Sequence, residues 1–206
     1  MRPVSLLFTG FEPFGGEAVN PSWAAVERLP ERIGGASIRT RRLPVAFERA
    51  GALAIEAIEA LSPDAVVCVG QAGGRTGISV ERVALNLDDA SAPDNEGCRP
   101  VDAPIRPDGP CAYLATLPVK RLVSALTQAD IPAHISNSAG TYVCNHVLYS
   151  VLDWLYARRP DVRAGFLHVP YLPEQCGDKP SAPALPLETM VRALEIVART
   201  LADGGM

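Results

Sequence analysis

The sequence is poor in the features that announce a specialised class. It has only three histidines, at 134, 146 and 168, and no HExxH pair, so a metal site would have to be assembled from scattered residues. Its five cysteines (Cys68, Cys98, Cys111, Cys144 and Cys176) are odd in number, irregularly spaced and without a CxxC pair, which fits neither a disulfide scaffold nor a zinc ribbon. There is no basic surplus: 19 Lys+Arg against 23 Asp+Glu leave a net charge of −4, which disfavours nucleic acid or an acidic membrane surface as partner. Apolar runs such as Ala65 to Val69 stop after a handful of residues, whereas a membrane-spanning helix needs about 20. Near the N-terminus, Val4 to Phe8 with Ser5 inside it is too short for a signal-peptide core. These absences predict a cytoplasmic protein that does not enter membranes.

What is present is enough apolar material for one substantial core. A length of 206 residues with 48% hydrophobic content predicts a single domain over 1–206. Short apolar runs alternate with longer amphipathic segments, the pattern of an α/β protein built on an open, twisted, mostly parallel sheet with helices on both faces. Strands are expected at 4–9, 36–45, 65–70, 78–87, 132–137 and 163–169. Over 47–61, Leu53, Ala54, Ala57, Ile58 and Leu61 trace one helical face, and Ser62-Pro63 ends it. Pro118 is placed to open a second helix as its first residue, and Leu187 to Leu201 carry a third stripe. Prolines and glycines collect at 91–110 and 170–186, which read as long surface loops.

Three residues stand out for chemistry. In ISNSAGTYVCN, 135–145, a polar turn leaves a strand and enters the stripe Val147, Leu148, Val151, Leu152 and Leu155, which puts Cys144 at a helix start. Unpaired N–H groups and the positive end of the helix dipole there favour a thiolate and could hold an oxyanion; a buried structural thiol is the alternative. Glu81, in ISVERVALNL, shares by alternation the apolar face of Ser79, Val83, Leu85 and Leu87. A carboxylate aimed at a core demands a partner, whether arginine, backbone or imidazole. His168, late in the run GFLHVP, falls at the C-terminal edge of a strand, where open α/β sheets build their sites. His146 is a poor base for Cys144, because helix neighbours at i, i+2 point apart. Together Glu81, Cys144 and His168 offer an orienting carboxylate, a thiol and a base. Whether they meet is beyond the reach of spacing.

At these residues the chain resembles the pyroglutamyl peptidase I (pyrrolidone-carboxylate peptidase) family of cysteine peptidases. TGFEPFGGEAVNPSW at 9–23, GQAGGRTGISVERVALN at 70–86, SNSAGTYVCN at 136–145 and FLHVPYLPEQ at 166–175 are similar to four family blocks, in the family's order. The resemblance implies an open α/β sandwich, a catalytic triad of Glu81, Cys144 and His168, no cofactor and a homotetramer. It also implies, as substrates, peptides or proteins blocked by an N-terminal pyroglutamyl residue. Phe11, Phe14, Asn20, Gln71, Tyr142 and Val143 match positions that surround the substrate ring, with Asn20 and Gln71 as polar contributors; turn and core packing are their alternatives. Tyr142 stands where phenylalanine is common, and Val45 and Ala92 replace other pocket side chains. Two other readings remain open: a nucleotide- or phosphate-binding module using the glycine-rich 70–77 segment, and a catalytically silent peptide-binding relative. The glycines do not follow GxGxxG, and the segment after them has period two where phosphate needs a helix start.

Overall fold

The computed structural model describes residues 3–177 and 181–203; residues 178–180 of the expected 170–186 loop lie outside the described residues. In chain order the elements are β1 (Val4–Phe11), α1 (Pro21–Val26), β2 (Arg32–Ile33), β3 (Ala36–Leu43), α2 (Phe47–Leu61), β4 (Ala65–Gln71), β5 (Ile78–Glu81), β6 (Val83–Leu85), β7 (Ala112–Leu114), α3 (Val119–Gln128), β8 (Ala133–Ser136), α4 (Val143–Arg158), β9 (Arg163–Val169) and α5 (Leu187–Asp203), with a 3-10 turn at Pro173–Cys176. Seven strands form one sheet in the order β2-β3-β1-β4-β9-β5-β8. β3, β1, β4 and β9 run parallel, as do β5 and β8, while β9 against β5 and the short edge strand β2 are antiparallel. The expected mostly parallel α/β sheet is what the chain forms.

Two cores lie on opposite faces of this sheet. On one, Leu6, Phe8, Val67, Val69 and Leu167 pack against Val26 of α1, Leu122 and Leu126 of α3, and Met190, Leu194 and Val197 of α5. On the other, Leu7, Phe11, Val66, Cys68 and Phe166 pack against Ala54 and Ile58 of α2 and Val147, Leu148 and Val151 of α4. Alternate residues of each strand thus serve different layers, which is why the central strands read as unbroken apolar runs. The cysteine helix belongs to the second layer.

The segment expected to be one strand, 78–87, is two. All four residues of β5 are buried, so Ser79 and Glu81 sit in a strand covered on both faces, not on one face of a half-exposed ribbon. The chain leaves the sheet at Arg82, and β6 pairs with β7 in a separate antiparallel ribbon. Asn145, fully buried on α4, holds this departure: its side chain accepts from Leu85 N at 2.9 Å and donates to the carbonyls of Leu85 at 2.9 Å and Leu87 at 3.0 Å. Pro118 is the residue before the first turn of α3 and not inside it. The six-residue α1 gave no periodic signal; the side chain of Asn20 caps it, with Pro21 in its first turn.

Candidate active site

The C-terminal ends of β4 and β9, the antiparallel strand β5 beside β9, and the start of α4 converge. His168 and Glu81 come from adjacent antiparallel strands, and His168 Nδ1 lies 2.8 Å from Glu81 Oε1 with both side chains buried. The partner that a buried carboxylate requires is therefore an imidazole, and there is a second: Arg75 Nη2 lies 3.5 Å from the same oxygen. Glu81 Oε2 is buried without a hydrogen-bond partner among the described residues. Cys144 arrives from the other side. A Cβ added to Gly70 would stand 2.8 Å from Cys144 Sγ, and Gly70 is the register partner of His168 across β4 and β9. Glycine is required here because the sulfur rests where any side chain would be. The Phe166 ring occupies the same space, 4.7 Å from the imidazole centroid. Sulfur, imidazole and carboxylate are thus brought to one strand edge, although among the described residues no hydrogen bond joins Cys144 to His168.

Cys144 is the second residue of α4, as its turn suggested. Tyr142, the cap residue, makes no side-chain hydrogen bond to the helix, and the first helical bonds are donated by Asn145 and His146 to its carbonyl. The N–H groups of Val143 and Cys144 precede those bonds and remain at the site. The expected thiolate is not what this environment favours. Burial pushes the Cys144 thiol up to about 12, the charge of Glu81 and then Cys68 add to the rise, and the backbone N–H of Cys144 itself opposes them only in part. Desolvation and the Glu81 charge thus oppose the thiolate that the helix start favours.

The remaining ring-site positions divide. Phe14 and Tyr142 are half-buried with their rings 6.3 Å apart, and Phe47 meets Tyr142 edge-on at 5.2 Å. The Tyr142 hydroxyl donates to the Pro93 carbonyl at 3.1 Å, tying the 91–110 segment over this aromatic wall. Gln71, one residue beyond Gly70, has a buried Oε1 with no hydrogen-bond partner among the described residues. Phe11 and Val143 are core residues, 2% and 1% exposed. Asn20 is engaged as a cap: Oδ1 accepts from Ser22 N and Oγ, and Nδ2 donates to Glu12 O. Val45 is buried in the core layer that includes Phe47 and Tyr142, whereas Ala92 is exposed. The sequence signal missed Arg75, Phe47 and Gly70. A glycine-rich turn ending in an arginine six residues before a core carboxylate was the available clue to the first.

The other histidines are satisfied elsewhere. His146 Nδ1 pairs with Asp88 at 2.7 Å, and His134 Nε2 meets Ser79 Oγ at 3.0 Å. The 70–77 segment leads from β4 into β5 with no helix behind it, and Tyr171 lies against Gly73, so a phosphate cradle is not formed. No group of three or more histidine, cysteine or acidic side chains is arranged to hold a metal among the described residues. No helix among them is long and apolar enough to cross a membrane.

A thiol at a helix start beside a buried imidazole–carboxylate pair, on an α/β sheet edge, is the equipment of a cysteine-type hydrolase. Comparison with known proteins narrows the class. The profile of the family described as pyroglutamyl peptidase matches residues 4–203, and the chain belongs to that family. It is 49% identical over 198 residues to pyrrolidone-carboxylate peptidase 1 of Caldanaerobacter subterraneus, covering 96% of this chain and 98% of that one. It is 48% identical to a pyrrolidone-carboxylate peptidase of Streptococcus pyogenes, covering 97% and 93%. Among solved structures, pyroglutamyl peptidase I of Bacillus amyloliquefaciens superposes with a TM-score of 0.95 at 48% identity, covering 98% of this chain and 96% of that one.

Proposed function

We propose that this protein removes an N-terminal pyroglutamyl residue from peptides and proteins, with Cys144 as nucleophile, His168 as general base and acid, and Glu81 as the carboxylate that orients the imidazole. The observation that carries the assignment is the buried His168–Glu81 pair at 2.8 Å beside the strand position on which Cys144 Sγ rests. Because Nδ1 is held by Glu81, Nε2 is the ring atom free to take the thiol proton. That transfer accompanies attack, because burial and the Glu81 charge oppose a free thiolate. Sulfur adds to the pyroglutamyl carbonyl carbon, and the N–H groups at the start of α4 receive the oxyanion. His168 returns the proton to the departing amine, leaving a thioester. Water then gives a proton to the same nitrogen, its oxygen attacks the thioester, and pyroglutamate leaves as the sulfur is reprotonated.

A neutral lactam suits a wall of Phe14, Tyr142 and Phe47 with a few polar groups. Gln71 Oε1, buried and unpartnered, is the acceptor we assign to the lactam N–H. Phe11 and Val143 support that wall from the core, and Asn20 holds the adjoining turn. One peptidase domain over 1–206, without a cofactor, completes the reading. Its five free thiols suit the reducing cytoplasm. Self-association as a homotetramer is the assembly we assign, on family resemblance. The test is hydrolysis of a pyroglutamyl chromogenic amide by wild type and Cys144→Ser. Wild type cleaves it and loses activity on alkylation with iodoacetamide, whereas the serine variant folds and is inactive. Wild-type turnover by Cys144→Ser would refute the nucleophile.

A further inference from the structure

We infer that Arg75 is a positioning residue of the hydrolytic site, setting the pH below which the Glu81–His168 pair is unable to accept the thiol proton. The inference rests on the triad assigned above. For His168 to act as base it must be neutral, and the pair then holds the single negative charge of Glu81 on a side chain with no solvent exposure. Oε2 has no hydrogen-bond partner among the described residues, so the contacts that face the charge are those at Oε1. Arg75 is the cation that faces it there.

The guanidinium is aimed and not merely nearby. Nη1 donates to Ser136 Oγ at 3.1 Å and to Ser79 Oγ at 3.3 Å, and Nη2 donates to the Ser138 carbonyl at 3.3 Å. These anchors come from β5, from β8 and from the turn that leads toward Cys144, so Arg75 ties the carboxylate strand to the approach of the nucleophile helix. The arginine reaches them from a turn in which Gly74 has φ +85°, a conformation that favours glycine.

Other titratable groups around Glu81 do not supply this charge. Cys144 on α4, with Cys68 of β4 near it, carries no positive charge in either protonation state. His134 of β8 is bonded to Ser79 Oγ. Arg82, next in sequence, turns its side chain to Asn137 Oδ1 at 3.2 Å. Lys120 and Arg121 of α3 are exposed, and Tyr171 after β9 lies against Gly73. Without Arg75 the one-proton pair, whichever residue holds that proton, loses it at a higher pH because the product is an uncompensated buried anion.

The experiment is the pH profile of kcat/KM for pyroglutamyl amide hydrolysis by wild type, Arg75→Gln, Arg75→Met and Arg75→Lys. The acid limb of the two neutral variants moves up by about one pH unit, a roughly tenfold loss on the acid side that recovers on the plateau. Arg75→Lys keeps the charge and leaves the limb near wild type. If the neutral variants do not fold, Ser136→Ala removes the shortest of the three hydrogen bonds that aim the guanidinium, and its limb moves in the same direction by a smaller amount. A limb that stays in place while the plateau or melting temperature falls makes Arg75 merely structural and overturns the inference. His168→Ala separates the two readings: retained turnover overturns the triad and this inference with it, whereas an unmoved limb in an enzyme that still requires His168 overturns the role of Arg75 alone.

Discussion

Gly70→Ala tests the geometry of the site with one methyl group. The added Cβ would lie 2.7 Å from Phe166 Cζ, 2.8 Å from Cys144 Sγ and 2.9 Å from Phe166 Cε1. Ordinary contacts start near 3.5 Å, so sulfur and ring must each retreat by about 0.7 Å. The sulfur can turn about its own bond, but Phe166 is fully buried between Phe11, at 6.3 Å, and His168, at 4.7 Å. Relief therefore displaces the thiol, the imidazole or both. Overpacking of this kind costs about 1–3 kcal/mol, which in a chain of this size lowers Tm by roughly 2–12 °C. A reacting atom misplaced by about 1 Å loses on the order of 100-fold in kcat/KM. Thermal melting and pyroglutamyl amide hydrolysis measure the two effects, and Gly35→Ala, whose Cβ would meet nothing within 4 Å, is the control. Wild-type turnover and Tm in Gly70→Ala would show that Sγ does not rest on this strand.

Two further expectations concern stability. Burial raises the Cys68 thiol to about 11 and the Cys144 thiol to about 12, so above the ordinary thiol value of 9.0 the unfolded chain releases protons that the folded chain keeps. Unfolded chains then bind fewer protons, and stability falls as pH rises from about 9 toward 11, by about 1 kcal/mol per thiol per pH unit. Melting temperature against pH measures this, and Cys68→Ala should flatten the slope; an unchanged slope would remove Cys68 as a cause. Asn145→Ala strands the Leu85 N–H and two carbonyls in a buried junction, costing about 2–4 kcal/mol in a denaturant titration, and a loss below about 0.5 kcal/mol would mean that these bonds do not hold β6 in place.

Much of this molecule was legible before any coordinates. Hydrophobic periodicity located the large helices and the strands of the sheet, because burial against a layer imposes its period on the side chains that do the packing. It failed at 78–87, where a strand covered on both faces and a ribbon leaving the sheet share one alternating pattern, and at α1, whose six residues are too few to show a period. Cys144 at a helix start was readable from a polar turn followed by an apolar stripe. The rise in its pKa was not, because desolvation depends on which strands and rings close over the sulfur.

The sequence by itself determined the α/β class, the residues able to carry acyl transfer, and the need of Glu81 for a partner, since these follow from side-chain chemistry and local period. Only the tertiary structure decided that His168 and Arg75 both meet that carboxylate, that Gly70 makes room for the sulfur, and that Asn20 is occupied as a cap. Those outcomes depend on strand order and register, which join residues as far apart as Glu81 and His168 through long-range pairing that no local window contains.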